Sequence, residues 1–221
     1  SKSSIRDTMQ GDNQRQAIIV KDTDHKDIAE QYNRIASVYD RATWFIPSSW
    51  RRQAAGLARG EVLEVGVGTG LNLPHYGEDC TGILGIDVSA GMLEQARERV
   101  SSCRVPVRLA VMDVQALPLE EADFDCVLAA FVFCTVPDPA AGLRECYRVL
   151  KPGGRLILLE HMGSDNKLLR QLMDWLNPLT VRLMDDHINR ATVNEADRAG
   201  FRIERVHNLF GDIVRLVVAG K

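Results

Sequence analysis

The sequence predicts an α/β fold built on a doubly wound, mostly parallel sheet, and three observations carry that reading. Short apolar runs of strand length recur along the chain, at 62–65, 81–86, 105–111, 124–130 and 155–160, with turns or amphipathic helical stretches between them. The first run stops in three glycines at alternate positions, Gly66, Gly68 and Gly70, the mark of a strand entering a tight loop. The run Phe124 to Ala130 is almost continuously apolar, as expected of a strand covered on both faces of a parallel sheet.

The totals narrow the function classes. A length of 221 residues with 45% hydrophobic content fits a single α/β domain with a substantial core. The net charge of −3 argues against a nucleic-acid partner, which favours a basic field. The five cysteines, Cys80, Cys103, Cys126, Cys134 and Cys146, are odd in number and form no Cys-x-x-Cys pair, so neither a disulfide framework nor a zinc site is indicated. The sequence has no long uncharged apolar run and no leader pattern, so a cytoplasmic protein is expected, with peripheral membrane contact left open.

The glycine loop is the first candidate for chemistry. Glycine at these positions permits positive φ and lets a ligand come closer to the backbone than a Cβ allows, and a helix is expected from Leu71 onward. An ordinary strand-to-helix turn has a similar composition. A dinucleotide fingerprint needs a small residue at position 71, where this chain has Leu71, and the Lys-Ser/Thr pair of a phosphate-cradling loop is missing. A nucleoside is therefore favoured over a pyrophosphate. The second run ends in Asp87, about twenty residues beyond the glycines, where a carboxylate accepts hydrogen bonds from both hydroxyls of a ribose. Capping the next helix is its other reading. Ser89 is the expected N-cap, with Met92, Leu93, Ala96 and Val100 on one helix face.

Five motifs in order now resemble a family. Glu64-Val-Gly-Val-Gly-Thr-Gly70, then Gly85-Ile-Asp87-Val-Ser89 with Met92, then Asp113-Val114, then Phe124-Asp-Cys-Val127, then Leu150-Lys-Pro-Gly-Gly154 are similar to those of class I S-adenosylmethionine-dependent methyltransferases, over the stretch from about Asp27 to the C-terminus. The resemblance implies a Rossmann-like doubly wound sheet of seven strands with an antiparallel last strand, an N-terminal helical lid, S-adenosyl-L-methionine as donor and S-adenosyl-L-homocysteine as product. It implies donor-binding roles for Tyr39, Glu64, Gly66, Gly68, Gly70, Asp87, Val88, Met92, Asp113, Val114 and Phe131. Asp113 is expected near the adenine amino group with the Val114 backbone beside the ring, Met92 at the adenine edge, and Tyr39 at the methyl-donor site.

The rest of the chain falls around this core. Residues 1–23 read as a flexible arm and 24–221 as one methyltransferase domain, with 24–58 as the lid and 163–192 as an acceptor-side insertion. Ile28, Tyr32, Ile35, Val38 and Tyr39 are spaced as an amphipathic helix, followed by an aromatic link from Trp44 to Trp50 and by Arg51-Arg52, read as a surface patch. Tyr39-Asp40 matches the quinone and phospholipid branches of the family. Leu73-Pro74 and Tyr76 resemble bacterial phosphatidylethanolamine N-methyltransferases, whereas Phe133-Cys134-Thr135-Val136 resembles small-molecule thiol methyltransferases and departs from the Arg-Asn pair of quinone C-methyltransferases.

His161, at the end of the fifth run, either takes a proton from the acceptor or bonds a loop. The apolar stripe of 168–176 reads as core or as a lipid contact, and Asp185-Asp186-His187 as a polar patch rather than a metal site, since metals recruit ligands from separate elements. No metal is expected. In-line methyl transfer needs alignment and exclusion of water rather than an enzyme nucleophile. The acceptor is expected to be small and amphipathic or lipid-like, a phospholipid amine or a thiol, with quinone C-methylation as the alternative. A nicotinamide oxidoreductase or a non-catalytic cofactor-binding module would use the same sheet.

Overall fold

A computed structural model describes residues 23–164 and 192–221. Seven strands make one sheet: β1 (Gly60–Val65), β2 (Cys80–Asp87), β3 (Val107–Val111), β4 (Phe124–Ala130), β5 (Leu150–His161), β6 (Arg202–Phe210) and β7 (Val214–Gly220). Their order is β3-β2-β1-β4-β5-β7-β6, and β7 runs antiparallel to both β5 and β6 while the other pairings are parallel. The seven-stranded, Rossmann-like sheet with an antiparallel last strand is therefore present.

Alternation along each strand divides the core in two. Leu63 and Val65 of β1 join Val127 and Ala129 of β4 and Leu156 and Leu158 of β5 on one face, while Val62, Leu128, Ile157 and Leu159 point to the other. Helix α4 (Pro139–Val149) covers the first face with Leu143, Cys146 and Val149; α2 (Ser48–Ala55) and α3 (Ala90–Val100) cover the second with Ala54, Ala55 and Leu93. Phe201, just after α5 (Thr192–Arg198), closes the first core with its ring edge-on to Tyr147 at 5.1 Å. Four of the five cysteines are buried and all are free thiols. Burial pushes Cys126 and Cys146 up to about 12, which keeps them protonated and inert.

Two boundaries differ from the sequence expectation. No α-helix begins at Leu71: the chain makes a single 3₁₀ turn, Leu73–His75, and becomes extended at Tyr76. Pro74 removes an amide from that turn, and Tyr76 leaves it to bury its ring and reach Glu64. The first helix, α1 (Thr23–Ala42), is longer at both ends than its apolar spacing indicates. It packs along α3, where Asn33 Oδ1 accepts from Ser89 Oγ and from the Gly91 amide, each at 2.7 Å. All of the expected 1–23 arm except Thr23, which opens α1, and most of the 163–192 insertion, including the 168–176 stripe, Asp185, Asp186 and His187, lie outside the described residues. Among the described residues no helix is long and apolar enough to cross a membrane.

Leu128 is fully buried at the centre of the sheet, between Glu64 of β1 and Ile157 of β5. Leu128→Ala is expected to cost about 2–5 kcal/mol. Ile203→Ala, on the half-exposed edge strand β6, is expected to cost less in the same urea unfolding series, and equal losses would contradict this placement of the core.

Candidate functional site

Strand order reverses between β1 and β4, because the chain winds outward to β3 in one direction and to β5 in the other. Open α/β sheets leave a crevice at the carboxyl ends of the strands at such a point. Here that crevice is a cleft of about 870 Å³, counting the space open to solvent, walled by the glycine loop, the ends of β2 and β4 and the turns that follow β3 and β4. Tyr32 and Tyr39 of α1 and Arg51 of α2 complete it.

The glycines have distinct duties. Gly66 has φ +60°, and a side chain there would run into Val132 Cγ2 at 2.5 Å, so glycine lets the loop pass under the turn after β4. Gly68 has φ +57°, and a Cβ there would meet nothing closer than the Gly66 carbonyl at 4.0 Å. What glycine provides at Gly68 is conformation and an open approach to the backbone. Gly70 sits behind the loop against Leu73 and Ala96 and does not line the cleft.

Asp87 lines the cleft and organises it. Its Oδ2 accepts from the Gly68 amide at 3.0 Å and its Oδ1 from the Ser89 amide at 2.8 Å. Capping of α3 belongs to Ser89, whose Oγ accepts from the Met92 amide at 3.0 Å. Burial pushes the Asp87 carboxyl up to about 6, against the pull of the amides it accepts from. Val88, Met92, Asp113 and Val114 line the same end of the cleft. Asp113 Oδ1 accepts from the backbone and side-chain nitrogens of Gln115, both at 2.9 Å, and Gln115 Oε1 in turn accepts from the Asp138 amide. The turn after β3 is thereby fixed.

Glu64 does not reach the cleft. It is fully buried beneath the loop, accepting from Tyr76 OH and from Asn72 Nδ2, both at 2.8 Å. Asn72 Oδ1 then accepts from Arg51 Nη1 at 3.2 Å, so a polar chain runs Tyr76, Glu64, Asn72, Arg51 from the core to the cleft wall. Desolvation pushes Glu64 up to about 7 despite those bonds, and lowers the Arg51 guanidinium from its usual range. Arg51, expected on a surface patch, is instead buried at 7% exposure, with its guanidinium 5.5 Å from the centre of the Phe131 ring. Only its neighbour Arg52 faces solvent.

Phe131 lines the cleft at the end of β4 with φ +60°, a left-handed conformation a bulky residue adopts only under constraint. Its amide donates to the Leu159 carbonyl at 2.8 Å, and the next two amides, of Val132 and Phe133, both donate to Glu160 Oε1 at 2.9 and 3.0 Å. Glu160 is thus a buried clamp on this turn. His161 packs its ring on Phe131 with centres 4.8 Å apart and does not line the cleft, so the imidazole stands one ring away from any ligand there. Thr135 does line it, with its hydroxyl donating to the Val132 carbonyl at 3.0 Å, while Cys134 is buried in the core. Of the residues predicted for the site, Tyr39, Gly66, Gly68, Asp87, Val88, Met92, Asp113, Val114 and Phe131 converge on the cleft. Glu64, Gly70 and His161 support it from behind. Arg51, Tyr32, Thr69, Gln115 and Thr135 are among the additions.

The fold and cleft define an α/β protein with an open crevice at its topological switch point, the place where open α/β sheets bind their ligands. Residues 63–158 match the family described as methyltransferase domain. The chain is 38% identical over 143 residues to a phosphatidylethanolamine N-methyltransferase from Cereibacter sphaeroides, covering 62% of this chain and 70% of that one. It is 30% identical over 222 residues to the ubiquinone/menaquinone biosynthesis C-methyltransferase UbiE of Cellvibrio japonicus, covering 86% and 89%. Among solved structures, a SAM-dependent methyltransferase from Thermotoga maritima superposes with a TM-score of 0.65 at 24% identity, covering 86% of this chain and 98% of that one, a likeness of fold. The chain belongs to the S-adenosylmethionine-dependent methyltransferases and is an enzyme of that class.

The buried Glu64 carboxyl yields a pH test. Its pKa is raised in the fold from 4.5 to about 7, so the folded chain holds that proton longer than the unfolded one. The stability this contributes is complete below about pH 4.5 and is lost as pH rises to 7, a fall on the order of 3 kcal/mol. Glu64→Gln removes the titration, so the difference in unfolding free energy between wild type and variant is expected to decline across that window in urea titrations. Parallel pH profiles would contradict a desolvated Glu64.

Proposed function

We propose that the cleft holds S-adenosylmethionine and that this methyltransferase transfers its methyl group to a small amphipathic acceptor, a phospholipid amine first, at a peripheral contact with the membrane. The observation that carries the donor half is one cleft furnished with a buried cation, Arg51, and a half-buried acceptor, Asp87, both lining it together with an open glycine loop. The donor offers matching groups: one carboxylate, a ribose diol, an adenine amino group and a sulfonium. Asp87 would take the ribose hydroxyls, Asp113 and the Val114 backbone the adenine, Met92 and Val88 its faces, and Arg51 the carboxylate. The donor supplies a methyl carbon whose bond to sulfur breaks as the acceptor's lone pair bonds to it.

The chain's own work is alignment and shielding. Tyr39, Tyr32 and Phe131 present rings to the cleft, and aromatic faces favour a sulfonium and exclude water. Thr135, Val136 and Pro137 wall the same cleft at the turn after β4, where acceptors are discriminated in this reading. Two observations support a phospholipid amine: the 38% identity to a phosphatidylethanolamine N-methyltransferase, and Tyr76, which packs beneath the loop in a motif of that branch. Quinone C-methylation is favoured by the UbiE relative, while Cys134-Thr135 departs from that branch.

Calorimetric titration with S-adenosylhomocysteine, run beside NAD and NADH, tests the donor. Micromolar binding of the homocysteine compound alone is expected, and binding of a nicotinamide instead would overturn the reading. Asp87→Ala is expected to weaken that binding by about 1.5–3 kcal/mol. In the wild type, affinity is expected to fall as pH drops through about 6, where Asp87 gains a proton and loses acceptor capacity. Transfer of labelled methyl from donor to phosphatidylethanolamine vesicles, compared with thiols and quinols, tests the acceptor; label in the quinol alone would select the alternative.

A further inference from the structure

The link between α1 and α2 carries two large apolar side chains that nothing in the described structure covers. Trp44 is 81% exposed and Phe45 62%, adjacent on a turn tied by the Thr43 amide to the Tyr39 carbonyl and the Ile46 amide to the Thr43 carbonyl. A soluble surface rarely displays Trp and Phe side by side at such exposure without a partner. The chain segment that carries them is one-sided in charge. Between Arg41 and Gly60 there are four arginines, Arg41, Arg51, Arg52 and Arg59, and no acidic residue, in a chain whose net charge is −3. Arg51 is turned into the cleft, while Arg41, Arg52 and Arg59 are exposed. The same link joins two cleft residues: Tyr39 precedes Trp44 by five positions and Arg51 follows Phe45 by six.

An aromatic tip on a chain segment that bears exposed arginines and no acid between Asp40 and Glu61 matches the interface of an anionic bilayer, where Trp and Phe lie at the headgroup boundary and arginines meet lipid phosphates. We propose that the Trp44-Phe45 turn inserts into the surface of an anionic lipid bilayer and seats the protein with its cleft beside the membrane. This deepens the lipid-acceptor reading and rests on it for purpose, though vesicle binding itself requires neither donor nor turnover. The turn is displayed by two helices fastened to the fold, α1 through Asn33 and Asp40 and α2 through Ala54 and Ala55, so insertion needs no refolding.

The test is co-sedimentation of the full chain with vesicles of phosphatidylcholine alone or with phosphatidylglycerol added. Binding to the anionic vesicles, weakened by salt, is expected. The double variant Trp44→Ser/Phe45→Ser is expected to lower the partition coefficient about tenfold or more, and Arg41→Gln/Arg52→Gln to weaken it while leaving the apolar tip intact. S-adenosylhomocysteine affinity is expected to be unchanged in both, which separates this proposal from the donor reading: loss of vesicle binding with intact donor binding supports it. Wild-type partition in the aromatic variant overturns it, as does binding that disappears only when residues 1–22 are removed or the 168–176 stripe is made polar. A dimer that dissociates in the aromatic variant, with no vesicle binding in the wild type, would assign the turn to a second copy of the chain and also overturn it.

Discussion

The structure turns on one carboxyl group buried where no ligand touches it. Glu64 sits under the glycine loop with both oxygens taken, one by Asn72 and the other by Tyr76, and through Asn72 it fixes Arg51. Without it the 3₁₀ turn after the loop, the inward ring of Tyr76 and the inward guanidinium of Arg51 lose their common anchor. A buried acid is a liability in an apolar core, and here hydrogen bonds on both oxygens and a neighbouring guanidinium oppose only part of the desolvation, which still raises its pKa to about 7. The loop that β1 delivers to the sheet edge is therefore held from below by polar bonds and from above by Asp87.

Asp87 and Glu160 repeat that logic on either side of the reversal in strand order. Each is a carboxylate that accepts from two backbone amides of a turn: Gly68 and Ser89, one on each oxygen, for Asp87, and Val132 and Phe133, both on Oε1, for Glu160. Orphan amides at the ends of parallel strands need partners. Supplying them from the adjacent strand welds the loop after β1 to β2, and the turn after β4 to β5. The cleft wall is thereby braced at both loops, and a strained Phe131 is tolerated because its surroundings over-determine it.

Much of this was legible in the chain because it is local. The alternate glycines, the acid at the end of the second apolar run, Ser89 as a cap and the unbroken apolar strand β4 each declare themselves within a few residues, and the resemblance assembled them into a sheet with the correct last strand. What the chain did not declare depends on distant partners. Arg51 reads as a surface charge beside Arg52, and only the packing of α2 under the loop turns it inward; an arginine next to small Ala54 and Ala55 on an otherwise apolar helix face was the available signal. His161 reads as reactive because it ends a strand at the functional edge, yet the positive φ of Phe131 swings an aromatic ring across it. The helix expected at Leu71 fails for a similar reason, since burial of Tyr76 outweighs local helix propensity.

The way α1 is fastened bears on timing. The helix is bonded at Asn33 to the entry of α3 and at Asp40 to Thr69 on the glycine loop and to Arg99, and between those ties it hangs Tyr32 and Tyr39 over the cleft. A ligand lying under these rings would leave more readily if the polar ties opened, so the helix as well as the ligand's own contacts would bear on its dwell time. Asn33 and Asp40 do not themselves line the cleft, yet Asp40 holds the Thr69 hydroxyl of its wall, and through such ties the two residues would bear on how fast a ligand is released.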